Sequence, residues 1–177
     1  MAYRVEVRSL FESLSASRTV EGELSLPDVE LGDQPYRFDG PATFTVTLTN
    51  TGAGIVGQGT ATARVHTPCV RCLCDTTLAF DAEIEAFYVL PGHDAELPEE
   101  QEYELIASDM TVDLEPAIAQ ALFVELPYAP LHDAECKGIC PVCGVDRNLV
   151  ACSCAASGSP SPFDALKGLH LGDADGA

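Results

Sequence analysis

Tryptophan is absent from this 177-residue chain, and aromatic side chains make up only 7% of it. Hydrophobic residues still reach 46%, which can support a buried core in a chain of this length. The core must therefore consist mainly of Val, Leu, Ile and Ala. The length fits one domain with an appendage, or two small domains.

Basic residues are also scarce, because 9 Lys and Arg stand against 28 Asp and Glu and leave a formal net charge of −19. Affinity for nucleic acid comes largely from Lys and Arg that replace counterions on phosphates. The composition therefore argues against unaided binding of RNA or DNA. Thirteen acidic residues lie between Asp75 and Glu115, where there is no Lys or Arg. This acidic block is either a solvated face or a docking surface for a basic partner.

No export signal or membrane-spanning run is recognisable. Met1 to Leu14 interleaves charged and apolar residues, whereas a signal peptide needs a charged segment followed by an apolar one. No apolar stretch reaches the about 18 residues that a transmembrane helix needs. We therefore expect a cytoplasmic protein with reduced thiols and no membrane contact. The alternative is a disulfide framework, which the even number of eight cysteines would permit.

Two cysteine pairs with two-residue spacers, Cys69-Val70-Arg71-Cys72 and Cys140-Pro141-Val142-Cys143, indicate metal binding. The short spacer lets a tight turn aim both sulfurs at one ion, while nearby backbone N–H groups stabilise their negative charge. Further cysteines and a histidine flank the second pair, so the inventory can close two tetrahedral zinc sites. The candidate ligands are Cys69, Cys72, His132, Cys136, Cys140, Cys143, Cys152 and Cys154.

Each candidate ligand has a plainer interpretation. Cys69 and Cys72 could be ordinary buried thiols, and His132 could be a surface histidine near a turn. The one-residue spacer between Cys152 and Cys154 is tight for two sulfurs on one ion, so an alternative is that only one of them binds. Two more histidines lack ligand-spaced neighbours and are expected to be ordinary: His66 and His93.

Alternation of apolar and polar residues predicts β-structure over the first two-thirds of the chain. Thr43 to Thr49 alternates Thr with apolar residues, and Thr77 to Leu90 places apolar residues opposite acidic ones. Asn50 to Gly54 supplies turn residues, so a long hairpin is expected with its second strand at Ile55 to His66. Other segments are less regular: strands at Tyr3 to Val7 and Thr19 to Leu26, and a loop or single turn at Ser9 to Ser17.

A helix is predicted from Asp113 to Glu125, because Asp113 can act as N-cap, Pro116 fits the first turn and Pro127 ends the helical spacing. The predicted fold class is α+β, mainly an antiparallel β-sheet or partial barrel with a packed helix and a small C-terminal zinc-binding appendage. Three regions are expected: a β-rich core over 1–131 with the helix at about 113–126, a cysteine-rich zinc-binding segment over 132–154, and a flexible tail over 155–177. Two finer expectations are a polar loop at Pro91 to Glu102 and at most a two-turn helix at Phe163 to Leu169.

Catalytic motifs are missing from the sequence. A zinc deaminase would place Glu two residues after a ligating His and Pro before the cysteine pair, whereas His132 is followed by Asp133-Ala134-Glu135 and the proline lies inside the pair. There is no P-loop, nucleophile elbow or dinucleotide fingerprint. A catalytic zinc also keeps one position open, whereas this inventory can close both sites. We therefore do not expect an enzyme.

The order of these motifs resembles the YceD family. The resemblance is carried by Arg64 to Leu73 around the first cysteine pair, the predicted helix, Leu126 to His132, and the run Cys136-Lys137-Gly138-Ile139-Cys140-Pro141-Val142-Cys143-Gly144. It covers about Val56 to Leu169, and the N-terminal quarter matches only in general character. It implies a ribosome-assembly factor, because members of this family are implicated in accumulation of large-subunit ribosomal RNA. Their genes often neighbour that of a small basic zinc-binding protein of that subunit.

The resemblance also implies how the ligands divide. Many relatives carry Cys where this chain has His132, and shorter relatives lack the last four cysteines. Cys69, Cys72, His132 and Cys136 would then form the core site, the four later cysteines a second site, and Cys74 would be left over. The expected partner is a basic large-subunit ribosomal protein or pre-ribosomal particle, with RNA reached only indirectly. A zinc-thiol redox switch and a plain structural adaptor are the alternatives.

Overall fold

A computed structural model describes residues 3–93 and 102–154. In these residues the fold is mainly antiparallel sheet with one α-helix, and the sheet does not close into a barrel. The predicted fold class is therefore confirmed. The strands are β1 (Arg4–Glu6), β2 (Ser17–Leu24), β3 (Val29–Leu31), β4 (Gln34–Phe38), β5 (Ala42–Asn50), β6 (Ile55–Pro68), β7 (Asp75–Val89), β8 (Glu104–Leu105) and β9 (Thr111–Asp113).

The centre of the sheet is the meander β5-β6-β7, which the period-2 patterns predict. β6 pairs with β7 without interruption, from Ile55 opposite Tyr88 to Pro68 opposite Asp75. On β7, Ala82 and Ile84 are buried, whereas the residues between and beside them are exposed. Each strand therefore presents one face to the core and one to solvent, as alternation requires.

The turn between β5 and β6 is held by a buried asparagine. The side-chain N–H groups of Asn50 donate to the carbonyl oxygens of Leu10 and Ser13, and its Oδ1 accepts from the backbone N–H of Gly52. Gly52 has a φ of 88°, in the left-handed region that favours glycine. Asn50 thereby fastens the predicted turn to the N-terminal segment, where a 3-10 helix spans Arg8–Glu12.

Four short strands were not predicted. β4 pairs with the end of β6 that β5 does not reach, with Phe38 opposite Val65, and β3 extends that branch. β1 pairs with β9, and β8 lies parallel to the end of β7. Pro35 within β4 and the length of only two or three residues in the other strands leave no alternation to recognise.

The α-helix, α1, spans Glu115–Val124, inside the predicted range. Its N-cap is Leu114 rather than Asp113, but the Asp113 Oδ1 atom accepts hydrogen bonds from the backbone N–H groups of Glu115 and Tyr3. Asp113 therefore caps the first turn of α1 from the position before the N-cap residue. The same side chain also connects the backbone at Tyr3 to the start of the helix.

One apolar side of α1 covers the sheet. Ile118 and Leu122 are fully buried and belong to the same cluster as Ala82 and Ile84 of β7. The helix therefore lies on the core face of the sheet. No helix in the described part of the chain has the length and apolar character needed to cross a bilayer.

Two sequence-based expectations lie largely outside the described residues. The predicted polar loop is described only at Pro91–His93 and from Glu102 onwards. The predicted tail, with its helix at Phe163 to Leu169, lies wholly outside them.

Replacing Gly59 by Ala should destabilise the sheet. A Cβ atom there would overlap the Thr45 carbonyl oxygen and lie 2.7 Å from the Val46 Cα atom, so the backbones of β5 and β6 would have to separate. We expect the free energy of unfolding to fall by about 1–3 kcal/mol, as for other overpacked sites. Thermal denaturation measures the change. Gln58→Ala, at an exposed neighbouring position, is the control, and equal melting of both variants would contradict the close approach.

Candidate metal centre

Four ligand side chains from two distant parts of the chain meet at one end of the β6–β7 ladder. Cys69 and Cys72 lie in the connection between these strands, and His132 and Cys136 lie beyond α1. Their ligand atoms all lie within 4.8 Å of one another. The three cysteines are buried and His132 is exposed. We call these four residues the first cluster.

Distances within the first cluster fit a tetrahedral ion. The Cys69 and Cys136 Sγ atoms are 3.8 Å apart, and His132 Nδ1 lies 3.5 Å from Cys69 Sγ and 3.2 Å from Cys72 Sγ. Ligands of a regular tetrahedron are separated by about 1.6 bond lengths, so Zn–S bonds of about 2.3 Å place sulfurs about 3.8 Å apart. Three sulfurs and an imidazole are also a donor set typical of structural zinc. The residues present therefore fit a closed zinc site.

Backbone and imidazole groups prepare Cys69 to carry negative charge. Burial raises the pKa of its thiol, but hydrogen bonds from the His132 side chain and from the N–H groups of Cys72, His132 and Arg71 outweigh burial and lower it to about 5. The pKa of Cys136 is raised, chiefly by burial. One sulfur thus favours the thiolate by itself, whereas a bound cation would stabilise several thiolates together.

A second cluster comprises Cys140, Cys143, Cys152 and Cys154, whose Sγ atoms also lie within 4.8 Å of one another. Both cysteines of the tight Cys-x-Cys pair are brought to the cluster. The N–H groups of Cys143 and Val142 lower the pKa of Cys140 to about 6. A hydrogen bond to Cys143, together with burial and the negative charge of neighbouring sulfurs, raises the pKa of Cys154 to about 12.

The two Cys-x-x-Cys turns have the same backbone construction. In each, the first cysteine accepts a hydrogen bond from the N–H four positions later, at 2.9 Å, and donates to the carbonyl five positions later, at 2.8 Å. The residue four positions later is in the left-handed region in both turns, with a φ of 62° at Leu73 and 73° at Gly144. The same turn therefore presents both pairs, although their sequences share only the cysteines.

The two clusters are joined by a polar contact that the sequence analysis missed. Asn148 Nδ2 lies 3.5 Å from the Cys136 Sγ atom, and Asn148 Oδ1 accepts a hydrogen bond from the Lys137 N–H at 2.8 Å. Asn148 follows the second Cys-x-x-Cys pair, yet it contacts a sulfur of the first cluster. The residues Asp146-Arg147-Asn148 are typical of a turn, in which the Asp146 Oδ1 atom accepts a hydrogen bond from the Asn148 N–H. Such a turn could be predicted from the sequence, but the contact of Asn148 with the Cys136 sulfur could not.

Arg71 and Gly138 complete this junction. The Arg71 side chain donates to the carbonyl oxygens of Ala134 and Cys136, and its own carbonyl accepts from the Ile139 N–H at 3.0 Å. Gly138 has a φ of 69°, and a Cβ atom there would lie 3.0 Å from the Arg71 carbonyl oxygen. The second cluster is therefore docked on the first.

The remaining candidates have other contacts. Cys74 is outside both clusters, but its Sγ atom lies 3.1 Å from that of Cys72. His66 contacts Thr77 and Asp39 at the sheet surface and belongs to neither cluster. All eight cysteines lie in the described residues, and none of them forms a disulfide.

Comparisons with known proteins agree with these motifs. A family model described as large ribosomal RNA subunit accumulation protein YceD matches residues 57–170. An uncharacterized protein of Mycobacterium leprae is 31% identical over 90 residues, which cover 51% of this chain and 42% of that protein. Uncharacterized proteins of Mycobacterium bovis and Mycobacterium tuberculosis are each 30% identical over 92 residues, which cover 52% of this chain and 44% of theirs. The matches thus span less than half the length of these relatives. No solved structure matches the chain.

Replacing Asn148 by Ala should loosen the junction between the clusters. The Lys137 N–H would lose its acceptor, and a hydrogen bond contributes about 1 kcal/mol net, which corresponds to roughly fivefold faster hydrogen exchange at that amide. Hydrogen–deuterium exchange of a peptide covering 134–138 measures this. Arg147→Ala, at the exposed neighbouring position, should leave the exchange rate unchanged. Equal rates in the two variants would show that Asn148 does not hold the segment.

Proposed function

The chain belongs to the YceD family, and we propose that it is a non-enzymatic zinc-binding factor in large ribosomal subunit biogenesis. The observation that carries the proposal is the family match over residues 57–170, with its description as a large ribosomal RNA subunit accumulation protein. We propose that the protein acts in the cytoplasm. The organisation proposed with it is a β-rich core over 1–131, a zinc-binding segment over 132–154 and a tail over 155–177.

Two zinc ions are proposed as structural cofactors. The first would be held by Cys69, Cys72, His132 and Cys136, and the second by Cys140, Cys143, Cys152 and Cys154. Support comes from the tetrahedral separations in the first cluster, from the backbone N–H groups aimed at Cys69 and Cys140, and from the common turn. Such closed sites stabilise the folded chain because the unfolded chain does not assemble them.

A basic large-subunit ribosomal protein or pre-ribosomal particle is the proposed partner, and RNA would be reached only indirectly. The supporting observation is the exposed face of β7, where Asp81, Glu83 and Glu85 alternate with core residues. Zinc does not reverse the charge, because seven thiolates and two Zn²⁺ move the formal net charge of −19 to about −22. An acidic surface speeds encounter with a basic protein and repels phosphate.

The 3.1 Å separation of the Cys72 and Cys74 sulfurs supports a second candidate function, a peroxide-sensitive switch. A peroxide would oxidise the two thiols to a disulfide and be reduced to water or an alcohol and water, and Cys72 would then no longer bind zinc. Zinc release on peroxide treatment that is abolished in Cys74→Ser would favour this switch. A plain structural adaptor remains the simplest alternative, and it differs from the proposed factor in having no ribosomal partner.

Replacing Cys72 by Ser should lower metal content and thermal stability together. The variant removes a buried sulfur from the first cluster and leaves its neighbours without one of four ligands. We expect loss of about one zinc per chain, measured by atomic absorption, and a lower melting temperature. Cys74→Ser is the matched control, since Cys74 lies outside the cluster, and should retain the metal. If the Cys72→Ser protein keeps its metal and melts at the same temperature as the parent, the assignment of Cys72 as a ligand is wrong.

The partner assignment is tested by titrating the purified chain with basic large-subunit ribosomal proteins and with large-subunit ribosomal RNA fragments. We expect at least one protein to bind and the affinity to fall steeply with salt, because surface charges are screened within about 8 Å at physiological ionic strength. Replacing Glu83 and Glu85 by Lys should slow association without unfolding the chain, because both side chains are exposed. Tight RNA binding with no protein partner would overturn this assignment.

A further inference from the structure

Among residues 3–93 and 102–154, no strand pairs with the outer edge of β7 over most of its length. In the described residues, β8 covers only Tyr88 and Val89, and no other strand pairs with that side of β7. The other side is paired with β6 along the whole ladder. An unpaired edge presents backbone N–H and C=O groups that can hydrogen-bond with an added strand.

The register identifies which backbone groups point outward. The Ile106 N–H donates to the Val89 carbonyl oxygen at 2.8 Å, so Val89 faces the outer edge. Because the register with β6 is unbroken, every second residue shares that direction. The outward-facing positions are therefore Thr77, Ala79, Asp81, Glu83, Glu85 and Phe87.

A groove runs along this edge between β7 and α1. It consists of adjoining cavities of about 510 Å³ and 380 Å³, both lined by Glu85, Ala117 and Gln120. A third cavity of about 390 Å³ continues from Glu85 over Phe87. Within the described part of the chain, the space beside the edge is therefore not filled by the helix.

The two faces of the groove differ in chemistry. The helix side combines the small or apolar side chains of Ala117, Ala121 and Val124 with the polar Gln120 and with Glu125 at its end, and Val124 is 75% exposed. The opposite face of β7 carries the exposed carboxylates of Asp81, Glu83 and Glu85. A strand added to the edge would send alternate side chains to these two faces.

We propose that an extended basic segment of the partner protein docks in this groove as an additional strand on β7. Its sequence should alternate apolar residues, which contact the helix side, with Lys or Arg, which pair with the carboxylate side. The proposal rests on the proposed function for the existence of a basic protein partner and adds how that partner is bound. A second copy of this chain fits poorly, because two such edges would bring carboxylates together.

The test uses the full chain and three synthetic peptides of equal length and charge. The first peptide alternates Lys and Val, and the second has the same residues arranged in two blocks. The third is the alternating peptide with N-methyl groups on every second backbone nitrogen, namely on those nitrogens that would hydrogen-bond with β7. Fluorescence anisotropy should show that the alternating peptide binds at least about tenfold tighter than the other two, because only it combines the side-chain pattern with backbone pairing. It should also slow hydrogen exchange at the Glu83 and Glu85 amides.

Equal binding of the three peptides, or no protection of these amides, would overturn docking on the β7 edge. The charge variant Glu83→Gln with Glu85→Gln keeps the backbone edge and should weaken the alternating peptide while preserving the preference over its N-methylated form. These outcomes are separate from the proposed function. If a ribosomal protein binds without protecting these amides, only the proposed docking on the β7 edge is rejected. If the peptide protects the amides but no ribosomal protein binds, only the proposed role in ribosome assembly is rejected.

Discussion

The uninterrupted antiparallel ladder between β6 and β7 is the constraint from which the other features follow. Its register fixes which residues of β7 face the core and which face solvent, since a slip of one position would bury the carboxylates. The same register places the connection from Cys69 to Cys74 at the end of the sheet. The cysteine turn is thus mounted on two long paired strands.

The second requirement is electrostatic, because eight ligand groups gather in two small volumes. Hydrogen bonds lower the pKa of one sulfur in each cluster: the His132 side chain and backbone N–H groups lower that of Cys69, and backbone N–H groups lower that of Cys140. Burial and neighbouring sulfurs raise the pKa of others, such as Cys136 and Cys154. Several thiolates at these separations repel one another, and a divalent cation removes that repulsion. Proposed metal binding and folding are therefore coupled at this end of the molecule.

Sequence reasoning succeeded where a local pattern carries the information. Alternation located β5, β6 and β7, the proline and apolar spacing located α1, and the Cys-x-x-Cys spacing predicted groups that do meet in space. It failed where an element owes its existence to a distant partner. β4 pairs with the end of β6 that β5 does not reach, and β9 pairs with β1. Asn148 likewise contacts Cys136 only after the chain has turned back.

The first cluster and the carboxylates of Glu83 and Glu85 lie at different points along the β6–β7 ladder. The cysteine turn closes one end of the ladder through the hydrogen bond between the Cys69 N–H and the Cys74 carbonyl. Glu83 and Glu85 lie farther along β7, where the alternate side chains are buried with Ile118 and Leu122 of α1. Loss of order at the cysteine turn would therefore fray β7 from Asp75 first, whereas the segment that carries the carboxylates would stay packed under the helix. The proposed metal binding and the proposed partner docking thus depend on different parts of one strand, and the apolar contact with α1 would keep the segment with Glu83 and Glu85 in place when the cysteine end is disturbed.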